Sequence, residues 1–242
     1  MTNATGQRDA EHGVIVTIDG PAGTGKSSVA RSLARRLGLE FLDTGAMYRA
    51  AALAAIEGGL QPSDGAALAA SLRSQGLAFD WTSDPPALHL GQRNVMARIR
   101  DQDVNAVVSE VAAQPEVRKV MVVLQQQIAR AHPRLVTEGR DQGSAVFPEA
   151  AVRFYLDADP AVRARRRCEQ LQRGGRRTDP EEVRRSTLVR DRIDSTRADA
   201  PLRVPEGAVV IDTSALSERE VVDRLEQEVR RRIPRDRLDA AA

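Results

Sequence analysis

The sequence predicts an α/β protein whose parallel β-sheet is covered by helices on both faces. Short apolar runs alternate with longer segments whose apolar residues recur at helical spacing, which is typical of such sheets. The first run, 14–18, is followed by a glycine-rich loop and then by a helical segment. The core is expected to be aliphatic, because 41% of the residues are hydrophobic and only 3% are aromatic.

Five runs are predicted to be strands, and the helices between them follow from the spacing of the apolar residues. Four strands end in or beside an acidic residue, namely Asp19, Asp43, Glu138 and Asp212. Open α/β sheets bind ligands at the carboxyl ends of their strands, so these acids mark the edge where a site is expected. The predicted strands are 14–18, 40–43, 134–138, 152–156 and 208–212. The predicted helices are 25–37, 46–58, 104–131, 160–173, 178–197 and 217–232.

Residues 60–100 interrupt the alternation, and we expect a small antiparallel β insert there, with turns at Pro85-Pro86 and Gly91. Its strand-like pieces are 77–81, 87–90 and 93–96. The glycine pair 174–175 between two arginine-rich helices favours a mobile hairpin that could act as a lid. The predicted domains are a core (13–59, 101–158 and 198–233), the insert (60–100), a helical lid (159–197) and flexible tails (1–12 and 234–242).

Composition and charge exclude several classes of protein. The formal net charge is only +2, which does not favour electrostatic binding of nucleic acid by the whole chain. The single cysteine, Cys168, excludes an internal disulfide framework and fits a reducing compartment. No apolar run is long enough to span a bilayer, and the polar start of the chain lacks a signal-peptide pattern. We therefore expect a cytoplasmic protein that does not bind membranes.

Residues 20–27 fit the phosphate-loop pattern G-x-x-x-x-G-K-[ST], and they lie between a predicted strand and a predicted helix as that loop requires. Backbone N–H groups would surround phosphate oxygens at the helix N-terminus, Lys26 would reach the β- and γ-phosphates, and Ser27 would bind Mg²⁺. Of the 36 lysines and arginines only Lys26 and Lys119 are lysine, so the lysine at this position stands out. The predicted ATP-binding residues of the loop are Gly20, Pro21, Ala22, Gly23, Thr24, Gly25, Lys26, Ser27 and Ser28.

Two stretches after predicted strands carry arginine. Arg49 lies on the first turns of the helix that follows 40–43, and Arg140-Asp141 comes directly after 134–138 with glycine on both sides. Glycine permits tight turns and a close approach of the backbone to a ligand. The alternatives are an exposed helix arginine for the first stretch and a surface ion pair for the second.

Two helices carry arginine in patterns that suit an anionic partner. The run 163–167 contains four arginines, whose planar guanidinium groups match phosphate oxygens. Arg190, Asp194 and Arg197 recur at helical spacing and share one face. The alternatives are a solvated charged face and a surface helix held by salt bridges.

Together, these blocks resemble the bacterial cytidylate kinases, a family of nucleoside monophosphate kinases. The blocks come in the family's order, I-D-G-P-A-G-T-G-K-S-S, D-T-G-A-M-Y-R, the β-rich insert, E-G-R-D-Q-G-S-A-V-F-P and R-D-R-I-D-S-T-R-A-D-A-P-L. The resemblance covers about residues 14–229 and implies the nucleoside-monophosphate-kinase fold of the phosphate-loop kinases, with a five-stranded parallel sheet. It implies transfer of the γ-phosphoryl group of MgATP to CMP or dCMP, with Mg²⁺ as cofactor, and a monomer that binds neither nucleic acid nor membrane.

The resemblance also implies individual roles. Ser27 would bind the metal, and Arg163 and Arg166 of the lid would bind ATP. The residues implied in catalysis are Lys26, Arg49, Arg140, Arg166 and Arg190. The residues implied in binding CMP are Thr44, Arg49, Ser109, Arg118, Arg140, Asp141, Arg190, Asp194 and Arg197; of these, Ser109, Arg118, Asp141 and Arg197 would read cytosine.

Gln142 and Ser144 depart from the residues usual in the family, and both flank Asp141. UMP or a non-nucleotide acceptor remains an alternative substrate. A GTP-dependent switch would need an N-K-x-D motif, and neither lysine is preceded by asparagine. A nucleic-acid-binding module is disfavoured because acids interleave with the arginines and aromatic side chains for base stacking are few.

Overall fold

The structure is a computed structural model that describes residues 13–175 and 177–239. The contacts divide the chain into two compact units, one reaching to Glu40 and resuming at His132, the other covering Phe41–Ala131. The strands of the described residues are β1 (Val14–Asp19), β2 (Glu40–Asp43), β3 (Leu77–Asp80), β4 (Ala87–Leu90), β5 (Arg93–Asn94), β6 (Arg134–Glu138), β7 (Val152–Asp157) and β8 (Val209–Asp212). The helices are α1 (Lys26–Leu37), α2 (Thr44–Glu57), α3 (Gly65–Gln75), α4 (Gln102–Ala113), α5 (Pro115–Ala131), α6 (Pro160–Arg173), α7 (Pro180–Thr196), α8 (Glu218–Arg232) and α9 (Arg235–Asp239).

The predicted α/β class with a five-stranded parallel sheet is confirmed, and the strand order is β2-β6-β1-β7-β8. The central strand β1 pairs with β6 on one side and β7 on the other, so that Ile18 lies opposite Glu138 and Asp19 opposite Tyr155. The carboxyl ends of β1, β6 and β7 therefore meet at one edge. All five strands predicted from apolar runs are present, with ends displaced by one residue at most.

The second unit contains the predicted small antiparallel sheet, in the order β3-β4-β5. Its segment also contains a helix, α3, that the apolar pattern did not predict. Asp64 caps that helix by accepting a hydrogen bond from the N–H of Ala67 at 3.0 Å, and Leu68 and Leu72 are buried on one face. The segment 60–100 therefore contains the helix α3 beside the predicted small antiparallel sheet.

One prediction of secondary structure is wrong. The single helix predicted over 104–131 is two helices, because Gln114 has extended backbone before Pro115, and Pro115 starts α5. The C-terminal tail predicted from residue 234 is helical over Arg235–Asp239 with Leu238 buried. The predicted tail 1–12 lies outside the described residues, and the division into core, insert and lid stays a prediction. No helix of the described residues is long and apolar enough to cross a membrane.

Candidate active site

The phosphate loop joins β1 to α1, as predicted. Gly20 has a φ of 146°, and a Cβ there would lie 2.0 Å from the carbonyl oxygen of Leu156, so only glycine fits. Gly23 has a φ of 83°, and a Cβ there would lie 2.9 Å from the carbonyl oxygen of Arg163. The loop is thus held close to the end of β7 and the start of α6, with the N-terminus of α1 directed at its interior.

Lys26 is the first residue of α1 and is only 5% exposed. Its Nζ donates to the carbonyl oxygen of Pro21 at 2.7 Å and to Thr24 Oγ1 at 3.4 Å. Burial, together with the nearby positive charges of Arg140 and Arg190, lowers the pKa of Lys26 to about 7. An anion bound in the loop would restore the full charge of this lysine.

Ser27 and Glu138 meet at the end of the sheet. The Ser27 hydroxyl donates to Glu138 Oε1 at 2.7 Å, and the carboxylate of Glu138 is buried at the end of β6. Both groups offer oxygen atoms, which are the ligands that Mg²⁺ prefers. Among the described residues there is no group of three or more histidine, cysteine, aspartate or glutamate side chains that could hold a metal by itself. A metal here would therefore need further ligands from phosphate or water.

Arg140, Arg190 and Asp194 form a charged cluster beside Lys26. Arg140 Nε donates to Asp194 Oδ2 at 2.8 Å. Burial opposes the charge of Arg140, but the carboxylates of Asp194 and Glu138 raise its pKa above the usual value. Burial and the charge of Arg140 lower the pKa of Arg190 to about 10, and Arg190 Nε has no hydrogen-bond partner within residues 13–175 and 177–239. Arg190 is therefore a buried guanidinium whose charged form is disfavoured and whose Nε is available to a ligand, which favours an anionic ligand.

Arg163 of α6 contacts the phosphate loop through a carboxylate that the sequence analysis did not single out. The Nη1 atom of Arg163 donates to Asp191 Oδ2 and, at 3.1 Å, to the carbonyl oxygen of Ala22. Asp191 Oδ1 in turn accepts from the N–H of Ala22 at 3.3 Å. Asp191 of α7 therefore connects the arginine-rich segment to the phosphate loop.

Arg166, predicted to contact ATP, is engaged elsewhere in this structure. Its guanidinium donates to Thr213 Oγ1 at 3.0 Å, to the carbonyl oxygen of Thr213 at 2.6 Å and to that of Leu216 at 3.3 Å. Thr213 follows β8 and its hydroxyl lies 3.4 Å from the carbonyl oxygen of Thr24 in the phosphate loop. Arg166 thus supports the turn after β8, and its contact with ATP stays a prediction.

Asp141 and Arg197, two of the residues implied in reading cytosine, lie together in the first unit. Arg197 Nη2 is 3.6 Å from Asp141 Oδ1, and both side chains are almost completely buried. Arg197 is fixed further by donating through Nε and Nη2 to the carbonyl oxygen of Ala200, at 2.9 and 2.6 Å. Asp141 directly precedes a single π-helical turn, Gln142–Val146, which the sequence analysis did not predict.

The second unit holds the other predicted CMP residues. Arg49 of α2 donates to Asn105 Oδ1 at 2.5 Å, and Arg118 of α5 is 1% exposed and donates to the Tyr48 hydroxyl at 3.3 Å. Thr44 is buried at the start of α2, and Ser109 lies half-buried on α4. Their roles toward CMP stay predictions.

The first unit therefore brings together most of the residues that the sequence predicted for phosphate binding, and it adds others. Lys26, Ser27, Arg140, Arg163, Arg190 and Asp194 lie around the loop. The additional side chains are Asp19, Asp191 and Thr213. Asp19 could be recognised in the sequence because it lies at the end of a predicted strand. No local pattern distinguished Asp191 from the other residues of its helix.

The chain has close relatives among curated proteins. Residues 16–231 match the protein family described as cytidylate kinase. A cytidylate kinase of Mycobacterium leprae (strain Br4923) is 44% identical over 219 residues, which is 90% of this chain and 96% of the relative. One of Corynebacterium efficiens is 45% identical over 216 residues, 89% of this chain and 94% of the relative. A solved structure of an uncharacterized protein from Eubacterium ventriosum ATCC 27560 aligns over 90% of this chain and 99% of its own, with a TM-score of 0.50 at 10% identity; that likeness concerns the fold alone.

Proposed function

The chain belongs to the cytidylate kinase family, and on that premise we propose that it transfers the γ-phosphoryl group of MgATP to CMP or dCMP, giving ADP and CDP or dCDP. The observation that carries the proposal is the group of positive side chains behind the phosphate loop. Lys26, Arg140 and Arg190 lie close enough for the two arginines to lower the pKa of the lysine. A triphosphate together with a monophosphate acceptor would supply negative charge that favours the charged forms of Lys26 and Arg190, whose pKa values are lowered by burial.

The proposed reaction needs no general base, because a phosphate oxygen of CMP is already nucleophilic near neutral pH. Catalysis then consists of positioning the acceptor in line with the γ-phosphate and of stabilising the charge that develops. Lys26 would hold the β- and γ-phosphates, while Arg49, Arg140 and Arg190 would hold the acceptor phosphate. Arginines directed at such a transition state are worth roughly 10³- to 10⁵-fold in rate.

The residues at the loop fit a magnesium ion that is shared with ATP. Ser27 would hold the ion, and the hydrogen bond of 2.7 Å to Glu138 would orient the Ser27 oxygen toward it. When bound, Mg²⁺ neutralises charge on the β- and γ-phosphates. Magnesium sites built from one or two protein oxygens, phosphates and water are usual, because this ion gives up its water reluctantly.

Cytosine recognition is proposed to depend on polar side chains that match the hydrogen-bonding edge of the base. Asp141 would accept a hydrogen bond from the exocyclic amine of cytosine, and Arg197 would donate to the ring. Ser109 and Arg118 are further contacts that the resemblance implies. Uracil presents a carbonyl where cytosine presents the amine, so the Asp141 carboxylate would reject UMP.

A coupled assay of ADP release, with MgATP and CMP, dCMP, UMP, AMP or GMP in parallel, tests the proposal. We expect turnover with CMP and dCMP and little with the other three. The variant Lys26→Met should lose most activity, whereas Lys119→Met, which alters the exposed second lysine of the chain, should not. Preference for UMP or AMP would discard the assignment of the cytosine-reading residues, and absence of turnover with all five acceptors would refute the proposed function.

A further inference from the structure

Asp19, the last residue of β1, is a buried carboxylate that the proposed reaction does not use. It is inaccessible to solvent. Its Oδ1 accepts a hydrogen bond from the N–H of Gln142 at 2.8 Å, and its Oδ2 accepts one from the N–H of Gly143 at 2.7 Å. Both carboxylate oxygens are thus engaged with one segment that lies more than 120 residues later in the chain.

That segment determines where the backbone of Asp141 lies. The carbonyl oxygen of Asp141 accepts from the N–H groups of Ala145 and Val146, at 2.9 and 3.2 Å, and the next peptide N–H is the one that Asp19 holds. The peptide group between Asp141 and Gln142 is therefore held at both its carbonyl oxygen and its N–H. Because this peptide group fixes the direction of the chain at Asp141, the position of the Asp141 carboxylate depends on how firmly the turn is anchored, as well as on χ1 and χ2.

The side chains of β1 also fit the turn sterically. Thr17 and Asp19 are two residues apart on one strand and so point to the same face. A Cβ on Gly143 would lie only 2.7 Å from Thr17 Oγ1, so the turn sits directly on that face. From β6, the Thr137 hydroxyl donates to Gln142 Oε1 at 2.9 Å. Gln142, which departs from the residue usual in the family, is therefore itself part of the anchor.

We propose that Asp19 is a positioning residue for cytosine recognition, holding the segment 141–143 so that Asp141 presents its carboxylate to the base of the acceptor. The inference rests on the proposed function, because that function assigns Asp141 to the base. Both oxygens of the Asp19 side chain accept a backbone N–H, and a buried N–H that loses its acceptor is costly. Since Asp19 also precedes Gly20, one side chain connects the start of the phosphate loop to the segment that reads the base.

The variant Asp19→Asn tests this role with little change in shape. Asparagine places an N–H₂ group where one carboxylate oxygen accepted, so one of the two backbone N–H groups loses its partner. We expect kcat/KM for CMP to fall by about 10- to 100-fold, and the preference for CMP over UMP to narrow, while KM for ATP changes less than about threefold. Asp157→Asn is the matched control, because Asp157 is likewise the last residue of a neighbouring strand, β7, but its exposed carboxylate accepts from the adjacent N–H of Ala158 at 2.8 Å and not from the segment 141–143. It should keep wild-type kinetics and base preference.

Two kinetic results would overturn the inference. The first is an equal rise of KM for ATP and for CMP in Asp19→Asn, which would mean that Asp19 acts through the phosphate loop and not through the segment 141–143. The second is a lower melting temperature with kinetic constants and base preference unchanged, which would mean a purely structural role. Should Asp19→Asn fail to fold, Gly143→Ala approaches the same contact from the turn, because its Cβ would meet Thr17 and displace the turn from Asp19. Wild-type base preference in Gly143→Ala would equally overturn the inference.

Amide hydrogen exchange, read by NMR at Gln142 and Gly143, separates this inference from the proposed function. Both amides should exchange slowly in the wild type and faster in Asp19→Asn, whatever the substrate of the enzyme is. Slow exchange in a protein that does not phosphorylate CMP would support the anchor and refute the proposed function. Fast exchange of both amides in the wild type would refute the anchor even in an active cytidylate kinase.

Discussion

Replacing Lys26 by methionine is expected to abolish activity and to stabilise the protein. The side chain of Lys26 is almost fully buried, and its ordinary pKa of 10.5 is lowered to about 7, first by burial and then by Arg140. A group whose charged form is disfavoured in the folded state costs stability whenever it is protonated. Methionine keeps the apolar stem of similar length and removes the charge.

The size of the gain follows from the two pKa values. At about 1.4 kcal/mol for each pH unit between 10.5 and about 7, charged Lys26 costs about 5 kcal/mol at low pH and about 4 kcal/mol at pH 7. The variant also loses the hydrogen bond to the carbonyl oxygen of Pro21, which offsets about 1 kcal/mol. We therefore expect the free energy of unfolding of Lys26→Met to be about 3 kcal/mol higher than that of the wild type at pH 7.

The pH dependence of this gain has a definite sign. Between pH 7 and pH 10.5 the unfolded chain binds a proton at Lys26 that the folded protein does not, so the stability of the wild type rises with pH across this window. The advantage of Lys26→Met is therefore largest below pH 7 and shrinks toward pH 10.5. Lys119→Met serves as the control, because Lys119 is exposed and should show no such trend.

Urea unfolding of the three proteins at pH 6, 7, 8 and 9, followed by circular dichroism, measures the effect. A variant Lys26→Met that is less stable than the wild type at pH 6, or a difference that does not shrink at higher pH, would refute the reasoning. If Lys26→Met loses activity but is not more stable than the wild type, the charged form of Lys26 does not destabilise the folded protein as its burial implies.

Three further outcomes are expected. Asp191→Ala removes the acceptor shared by Arg163 and the N–H of Ala22, so KM for ATP should rise about tenfold while KM for CMP changes little. Glu181→Ala, which alters an exposed residue of the same helix, should leave both KM values unchanged. An equal rise of KM for both substrates in Asp191→Ala would contradict this role. Ser27→Ala should raise the Mg²⁺ concentration that gives half-maximal activity, and Ser32→Ala, farther along α1, should not; an unchanged Mg²⁺ dependence would contradict the metal assignment. Deleting residues 235–242 removes the buried side chain of Leu238 and the two carbonyl oxygens that accept from Arg134. The melting temperature should therefore fall by about 5–10 °C while kcat stays unchanged. An unaltered melting temperature would show that α9 does not contribute to stability.

The five strands of the parallel sheet could be predicted from the sequence to within a residue because their apolar runs are continuous. The inner strands β1 and β6 are buried on both faces, whereas the edge strand β8 leaves Val210 exposed. The break between α4 and α5 could also have been predicted, because residue 114 precedes a proline and such residues disfavour helical backbone. The apolar residues keep their helical spacing across the break, and this spacing predicted one helix. The helix α3 was not predicted, because the turn residues Pro85, Pro86 and Gly91 favoured β-strands in this segment. Asp64 followed by an alanine-rich stretch is nevertheless typical of a helix start.

The candidate site also contains parts that could be predicted from the local sequence and parts that could not. The phosphate loop is local, because its glycines, its lysine and its helix are consecutive in the chain. The contacts that position it are not local. Asp191 reaches the N–H of Ala22 across 169 residues, and Asp19 reaches Gln142 across 123. Asp191 is one of several acidic residues on a charged helix, and nothing in the local sequence distinguishes it from the others. Its contact with Ala22 could therefore not be predicted before the fold was known.

The positive group gives a physical reason for a lysine at position 26, in a chain whose other lysines and arginines, Lys119 apart, are all arginine. A buried lysine can lose its proton, whereas arginine remains charged in proteins, so Lys26 is the one member whose charge depends on what occupies the site. With the site empty, the repulsion from Arg140 and Arg190 is relieved by partial neutralisation of Lys26. With a triphosphate bound, the same side chain regains its proton, because the nearby negative charge favours the charged form. The free protein thus avoids part of the cost of three adjacent positive charges, and the full charge is present only when a phosphate ligand needs it.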